Sequence, residues 1–481
     1  MSYKQIFLLI PGLLICSILF FFWKSNMIDV TSDWEFFFST FTMLIFFYAI
    51  FTWYKLNLGF LSPTFLMFIS LLLFHLGTIV IVGFNLMHVE YKEHLMIYRY
   101  GEELTLPAVL YSLAFIIIYI LGVIIFYNKN DEKFVDEKNV RISNVNYKQI
   151  ILCKKTGIVL LILSIPSTIY VNFIQFNSRI TEGYSAVYTA DYTLFGLPLG
   201  GFTNLFLPGI IFTLIGLQNE KKKSLYILII MCIYYLVYIF LVGRRADGLL
   251  ALITLIYVYY NFYKFKLNLF HIIGVYFLMV TMTFIAQTRG LVLGVQEMGM
   301  LFLKKVTKEN PILELVLEMG GTIRSPILII ETLESLEQYR YGFVYLLGPL
   351  AVTFKALGIT SQLDNYLSFS YFLRLPERGT FINSATSSMG GSAIAEWYFN
   401  FGWIGLPLAI FFGGAMLKYQ KIMKTVVNRP YIYGIMCFSL YLVLRYSREY
   451  FAGIFWILIY VSIVSFLIYI FLNKKGKVQK T

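Results

Sequence analysis

Long apolar runs alternate with short polar breaks along most of this chain. Crossing a hydrocarbon core about 30 Å thick takes roughly 20 apolar residues of helix, and runs near that length recur twelve times. The pattern predicts helices at residues 5–23, 36–54, 60–86, 104–127, 156–176, 197–217, 225–242, 249–263, 269–288, 393–416, 431–446 and 452–472. The eighth is short. The first, behind Lys4, has the length of a signal peptide. It lacks a small-residue cleavage site and more spans follow it, so it reads as a retained helix.

The rhythm breaks once, between Arg289 and Gly391. That interval divides the chain into membrane helices at 1–288, a large outer loop at 289–391 and membrane helices at 392–481. A loop of such length is expected to hold short helices and to carry function. Within it "PILIIETLESLEQY" sets Ile327, Ile330, Leu333 and Leu336 on one helical face and Glu331, Glu334 and Glu337 on another. This predicts an amphipathic helix lying on the membrane or the bundle. "FVYLLGPLAVTFKALGI" (343–359) is apolar but contains Pro349 and Lys355. If it spanned, the lysine-rich tail would flip to the other side, so it reads as re-entrant or interfacial. "RLPERGTFINSATSSMGGS" (374–392) is a polar, glycine-rich loop whose backbone can approach a ligand closely.

Composition sharpens the class. With 59% hydrophobic and 14% charged residues among 481, and a mean hydropathy of +0.73, the chain is expected to be an all-α, polytopic integral membrane protein of about twelve transmembrane helices. Its net charge is +13, yet no soluble basic domain is present to bind nucleic acid. Most of the excess reads as positive-inside bias. By the helix map, 20 lysines fall on the side of both termini and six on the other. Both termini are therefore expected in the cytoplasm. Cys16, Cys153, Cys232 and Cys437 are scattered through the spans, and the four histidines show no ligand spacing, so neither disulfides nor a metal site are expected.

Arginine departs from this bias. Eleven of thirteen fall outside or at the outer boundary: Arg99, Arg179, Arg244, Arg245, Arg289, Arg324, Arg340, Arg374, Arg378, Arg445 and Arg448. Topology alone would send both cations inward. The guanidinium fork binds phosphate in bidentate fashion and keeps its charge. "GRRADG" (243–248), directly after the apolar run Ser224 to Leu241, is thus read as waiting at the outer headgroup level for a phosphate or pyrophosphate. The competing reading pairs these arginines with Asp247, Glu377 and Glu449, or with lipid headgroups in general.

No nucleotide-binding, Rossmann, zincin or DxD motif is present, and the cytoplasmic loops are too short for a nucleotide-binding domain. Outer-face synthesis then needs a substrate already activated on a lipid. A polyprenyl pyrophosphate sugar satisfies this, because arginines can neutralise the leaving pyrophosphate without metal or other cofactor.

"GGSAIAEWYFNFGWIGLPLAIFFGG" (390–414), "EMGGTIRSP" (318–326) with "YRYGFVYLLGPL" (339–350), and "GRRADGLLALI" (243–253) resemble stretches of the bacterial O-antigen and capsular repeat-unit polymerase (Wzy-type) family. The resemblance extends to the helix layout and the late outer loop. It implies a glycosyltransferase of the GT-C-like class in the bacterial inner membrane. Such an enzyme moves a polyprenyl-pyrophosphate-linked glycan en bloc onto a lipid-linked repeat unit. A flippase and a chain-length regulator are its implied partners. Arg244, Arg245, Arg289, Arg324 and Arg378 would hold pyrophosphate, with Arg445 and Arg448 from the outward set beside them. Glu396 would sit near the reacting sugars. The related O-antigen ligases use a histidine in the large outer loop, and none occurs between Arg289 and Gly391.

A sugar hydroxyl needs a base. Glu396 and Asp247 are the candidates among the outer acids Asp247, Glu318, Glu377, Glu396 and Glu449. Each has a second reading. Glu396 can satisfy backbone donors at a helix start, Asp247 can orient Arg244 or Arg245, and Glu449 can form a plain salt bridge in "RYSREY". A lipid-linked oligosaccharide flippase or transporter, or an O-antigen ligase, stays open as the alternative function. A flippase would share the helices and a cationic site, but would serve both faces and needs no hundred-residue outer segment.

Overall fold

A computed structural model describes residues 2–24, 34–86, 96–128, 147–182, 186–190, 192–194, 197–263, 274, 280, 310–336, 339–356 and 391–478. Helices occupy every other expected position, while 269–288 lies outside the described residues apart from Gly274 and Val280. In chain order the main ones are α1 (Tyr3–Lys24), α2 (Trp34–Leu56), α3 (Pro63–Gly83), α4 (Glu102–Phe126), α5 (Tyr147–Glu182), α6 (Phe206–Gly216), α7 (Lys221–Val242) and α8 (Arg245–Tyr263). After the gap come α9 (Pro311–Met319), α10 (Arg324–Leu336), α11 (Phe343–Ala356), α12 (Ala393–Phe401), α13 (Gly405–Thr425), α14 (Pro430–Tyr446) and α15 (Phe451–Val478). Thr193–Leu194 pairs antiparallel with Leu197–Pro198. Among the described residues eight helices, counting α12 and α13 as one, are long and apolar enough to cross a membrane. The protein is a multi-pass, all-α membrane protein. Helices α6, α8 and α14 are shorter or more polar, so the count of twelve spans rests on sequence pattern.

Residue chemistry explains the element ends. Ser62 accepts from the Phe65 amide with Pro63 in the first turn of α3, and Asn310 accepts from the Ile312 amide with Pro311 opening α9. Gly243, at φ 84°, closes α7 through its amide to the Ile239 carbonyl, a left-handed conformation that glycine adopts without penalty. The tenth expected helix, 393–416, is broken. Gly402 (φ 55°) separates α12 from α13, and a Cβ there would meet the Tyr339 ring at 2.6 Å.

Of the helices long enough to span, α3 and α4 are the most buried, whereas α1, α7 and α15 turn broad apolar faces outward. Helices α4 and α13 cross in backbone contact: a Cβ at Gly122 would strike the Ile410 carbonyl, and one at Gly413 the Tyr119 carbonyl. Small residues allow this approach where solvent provides no hydrophobic drive.

Polar bonds define two ends. At one, Gln5 donates to the Ile124 and Tyr127 carbonyls at 2.9 and 2.7 Å, and Thr64 donates to Gln420 at 2.7 Å. Glu220 pairs there with Lys223 and Lys154. These lysines hold its carboxyl below the usual carboxylate range, Lys223 most strongly. The other end carries the arginines.

Within the long interval, α10 takes the bundle alternative: Ile327, Ile330 and Leu333 are buried, and so are Leu328 and Ile329 beyond the expected face. It packs against α4 and α12. Helix α9 rests on α3, where the Thr78 hydroxyl donates to the Leu317 carbonyl at 2.8 Å. Close contact requires glycines, since a Cβ at Gly320 would run into the Thr78 backbone. Helix α11 packs against α15 and contains Pro349. Its 14 described residues reach about 21 Å.

Candidate active site

The α7–α8 corner delivers Arg244, Arg245 and Asp247. Gly243 ends one helix and Arg245 begins the next, so all three leave the backbone within one tight reversal. The turn between α14 and α15 delivers Arg445, Arg448 and Glu449. The two corners meet at Asp247. Arg244 Nη2 lies 2.7 Å from Asp247 Oδ2, and Arg445 Nε lies 3.4 Å from Asp247 Oδ1. Arg445 also donates to Glu449 Oε1 at 3.1 Å. Arg245 pairs with Glu318 at the end of α9, which ties the corner to the long interval.

Among the described residues, two arginines of this end, Arg448 and Arg324, pair with no carboxylate. Arg448 lies over the Phe74 ring at 5.8 Å, a cation–π contact. Arg324 opens α10 and donates through Nε to the Tyr100 hydroxyl at 3.1 Å. Phe74 is near the midpoint of α3, and Gly320, just before Arg324, packs on Thr78 one turn further along. Both guanidinium-bearing segments thus border the second half of α3. At 1.5 Å per residue, Phe74 is about 13 Å short of the end of α3. The arginine cluster is recessed beside α3 rather than set at the rim of the bundle.

Glu396 lies behind this cluster. It is fully buried, and its Oε2 accepts from the Phe451 amide at 3.0 Å, the first residue of α15. Among the described residues its Oε1 accepts no hydrogen bond of good geometry. Tyr446 faces the carboxyl and shares a 3.2 Å hydroxyl contact with Tyr345. Ser392 caps α12 by accepting from the Ala395 amide at 3.2 Å, and its hydroxyl lies 2.6 Å from His75 Nε2.

The family model described as O-antigen polysaccharide polymerase Wzy matches residues 8–480. The chain belongs to the Wzy family. No curated protein and no solved structure matches it. Members of this family are glycosyltransferase-like polymerases, so the cluster is the candidate active site of a Wzy polymerase.

Of the site residues expected from sequence, Arg244, Arg245, Asp247, Arg445 and Arg448 come together, with Arg324 at the neighbouring corner. Arg289 and Arg378 lie outside the described residues, as does most of the polar stretch 374–392. Of the other outward arginines, Arg179 caps α7 by donating to the Phe240 and Leu241 carbonyls at 2.7 and 2.9 Å. Arg340 is buried over the Phe399 ring. Both Asp247 oxygens face guanidinium groups, and Glu396 is buried. Among the described residues no three His, Cys, Asp or Glu side chains form a metal site.

Sequence reasoning missed His75, Tyr100 and Tyr446. His75 sits in an apolar run 317 residues from Ser392, and nothing local marks it. Glu318 was recognisable only as an acid beside glycines.

Proposed function

We propose that this Wzy-family chain is a polysaccharide polymerase that joins polyprenyl-pyrophosphate-linked glycans. One observation carries this reading: two chain reversals and the α9–α10 corner place five arginines at one end of the bundle, beside α3. Three are ordered by carboxylates, and two, Arg324 and Arg448, are not. The arginines bind the donor pyrophosphate. A hydroxyl of the acceptor repeat unit attacks the anomeric carbon, the bond from that carbon to the pyrophosphate oxygen breaks, polyprenyl pyrophosphate departs, and the hydroxyl proton passes to the departing pyrophosphate oxygen or to water. Fixed guanidinium groups stabilise charge as it develops on that oxygen, with no reorganisation required at the moment of reaction. Asp247 acts here by orienting Arg244 and Arg445. In this reading the arginine end faces outward in a bacterial inner membrane, and the lysine-bearing end and both termini face the cytoplasm. A flippase supplies the repeat unit, and a chain-length regulator is the further partner.

The test supplies purified protein with polyprenyl-pyrophosphate-linked repeat units alone. Longer lipid-linked glycans are expected without nucleotide sugar, ATP or added metal. Movement of the repeat unit between leaflets with no new glycosidic bond would replace this reading with a flippase. Transfer only to a chemically different acceptor would replace it with a ligase.

A further inference from the structure

The buried Glu396 lies where α3, the start of α12 and the arginine-bearing turn meet. Four contacts join these elements. Ser70 of α3 and Ser447 of the turn share a 2.7 Å hydroxyl contact. His75 and Ser392 share one at 2.6 Å. Gly391 lies so close to the turn that a Cβ would be 2.7 Å from the Glu449 carbonyl carbon and 2.8 Å from the Tyr450 nitrogen. Glu396 Oε2 then accepts from the Phe451 amide at 3.0 Å.

Each contact has a physical cause. His75 Nδ1 bonds the Leu71 carbonyl at 2.9 Å, an atom that only accepts, so Nδ1 carries a proton. In the neutral ring Nε2 accepts from the Ser392 hydroxyl, while Ser392 Oγ accepts from the Ala395 amide. One serine thereby fixes the first turn of α12 to the middle of α3. Four residues along, Glu396 reaches the first amide of α15. A helix N-terminus has unsatisfied amides and a partial positive charge, which gives this buried carboxylate a reason to be there. The segment between α14 and α15 is short: Arg445, Ser447, Arg448 and Glu449 all precede Phe451 by six residues or fewer. Holding Phe451 at one side and Ser447 at the other leaves this turn little freedom.

We infer that Glu396, carried by the His75–Ser392 anchor, is a positioning residue that sets Arg445 and Arg448 for the anionic head of the lipid-linked substrate. The inference rests on the polymerase reading for the identity of that head, while the attachment itself rests on the contacts alone. Glu396 acts through the turn. It neither touches the sugars nor accepts a proton from them.

Glu396→Gln and Glu396→Ala separate this role from that of a base. Glutamine keeps a carbonyl oxygen that accepts from Phe451, whereas alanine removes it. The full-length protein in lipid nanodiscs is examined by hydrogen exchange of the 447–451 amides and by binding of farnesyl pyrophosphate, with inorganic pyrophosphate as competitor. Polymer formation is measured on the same samples. Glu396→Gln is expected to keep the turn protected, bind as wild type does and still polymerise. Glu396→Ala is expected to expose the turn and weaken binding by about tenfold or more. In an Arg445→Ala background, Glu396→Ala is expected to cost little further affinity, because the group it positions is gone.

Turnover abolished in Glu396→Gln with farnesyl pyrophosphate binding intact would make Glu396 a base and overturn the inference. So would unchanged exchange at 447–451 in Glu396→Ala, or losses in the double variant that simply add. An exposed turn in Glu396→Ala, with no pyrophosphate binding even by wild type, would instead remove the polymerase reading and leave the attachment standing. Gross misfolding is excluded by requiring normal protection along α3 and α4.

Discussion

At the scale of residues, the outward arginines divide by partner. Arg244, Arg245 and Arg445 are matched by Asp247, Glu318 and Glu449. Arg324 and Arg448 face a hydroxyl and an aromatic ring. Neutral partners leave the charge of a guanidinium unbalanced, so these two have the most to gain from an anion. Arg448→Lys keeps the charge but loses the bidentate fork. It is expected to weaken lipid pyrophosphate binding by on the order of 1.5–3 kcal/mol, the worth of a charge-assisted bond, as read by calorimetry. Affinity equal to wild type in both Arg448→Lys and Arg324→Lys would remove them from the binding site. Asp247→Asn tests the other group. It strips the shared counter-charge from Arg244 and Arg445, so stability should fall by on the order of 2 kcal/mol, seen as a lower Tm in detergent. An unchanged Tm would mean the Asp247 bridge holds nothing together.

Among the elements, glycine and helix breaks decide where side chains arrive. The break at Gly402 makes α12 a separate piece of 9 residues, which lets Ser392 and Glu396 approach α3 and α15. Gly243 reverses the chain so that Arg244 and Arg245 emerge at a corner instead of along a helix. Helices α4 and α13 form the support beneath, through Gly122 and Gly413. Gly413→Leu is expected to force them apart. Overpacking of this kind typically costs about 1–3 kcal/mol, more where a backbone carbonyl is the obstacle. The measurable result is a lower yield of monodisperse protein and a lower Tm, with a milder effect for Gly413→Ala. A fully stable Gly413→Leu would show that the two helices can separate freely.

For the whole molecule, the two polar ends face opposite compartments if the lysine bias is topological. In a cysteine-free background of intact cells, Glu102→Cys at the exposed start of α4 should react with a membrane-impermeant thiol reagent. Lys222→Cys, exposed at the start of α7, should react only after permeabilisation. The reverse pattern would turn the protein over and place the arginines in the cytoplasm.

The sequence by itself determined the class, most of the helices and the separation of lysine from arginine, because each is a local property. An apolar run must be satisfied by helical backbone bonds inside a bilayer, and loop charge is countable residue by residue. It also marked "GRRADG" and "RYSREY" as unusual, since arginines at the end of an apolar run stand out in any window. Only tertiary structure decided that these stretches, about 200 residues apart, share Asp247. It also decided that α10 packs on the bundle rather than on the membrane and that Glu396 meets the first amide of α15. The α10 sequence left that choice open because a stripe of isoleucine and leucine shows that a helix has an apolar face, but not what covers it or what lies on its other sides. The partner of Glu396 was illegible for a similar reason. A carboxylate at a helix start looks the same in sequence whether it faces water or the first amide of another helix. His75 left no trace, because the meaning of a buried histidine depends on which atom, hundreds of residues away, lies against its ring.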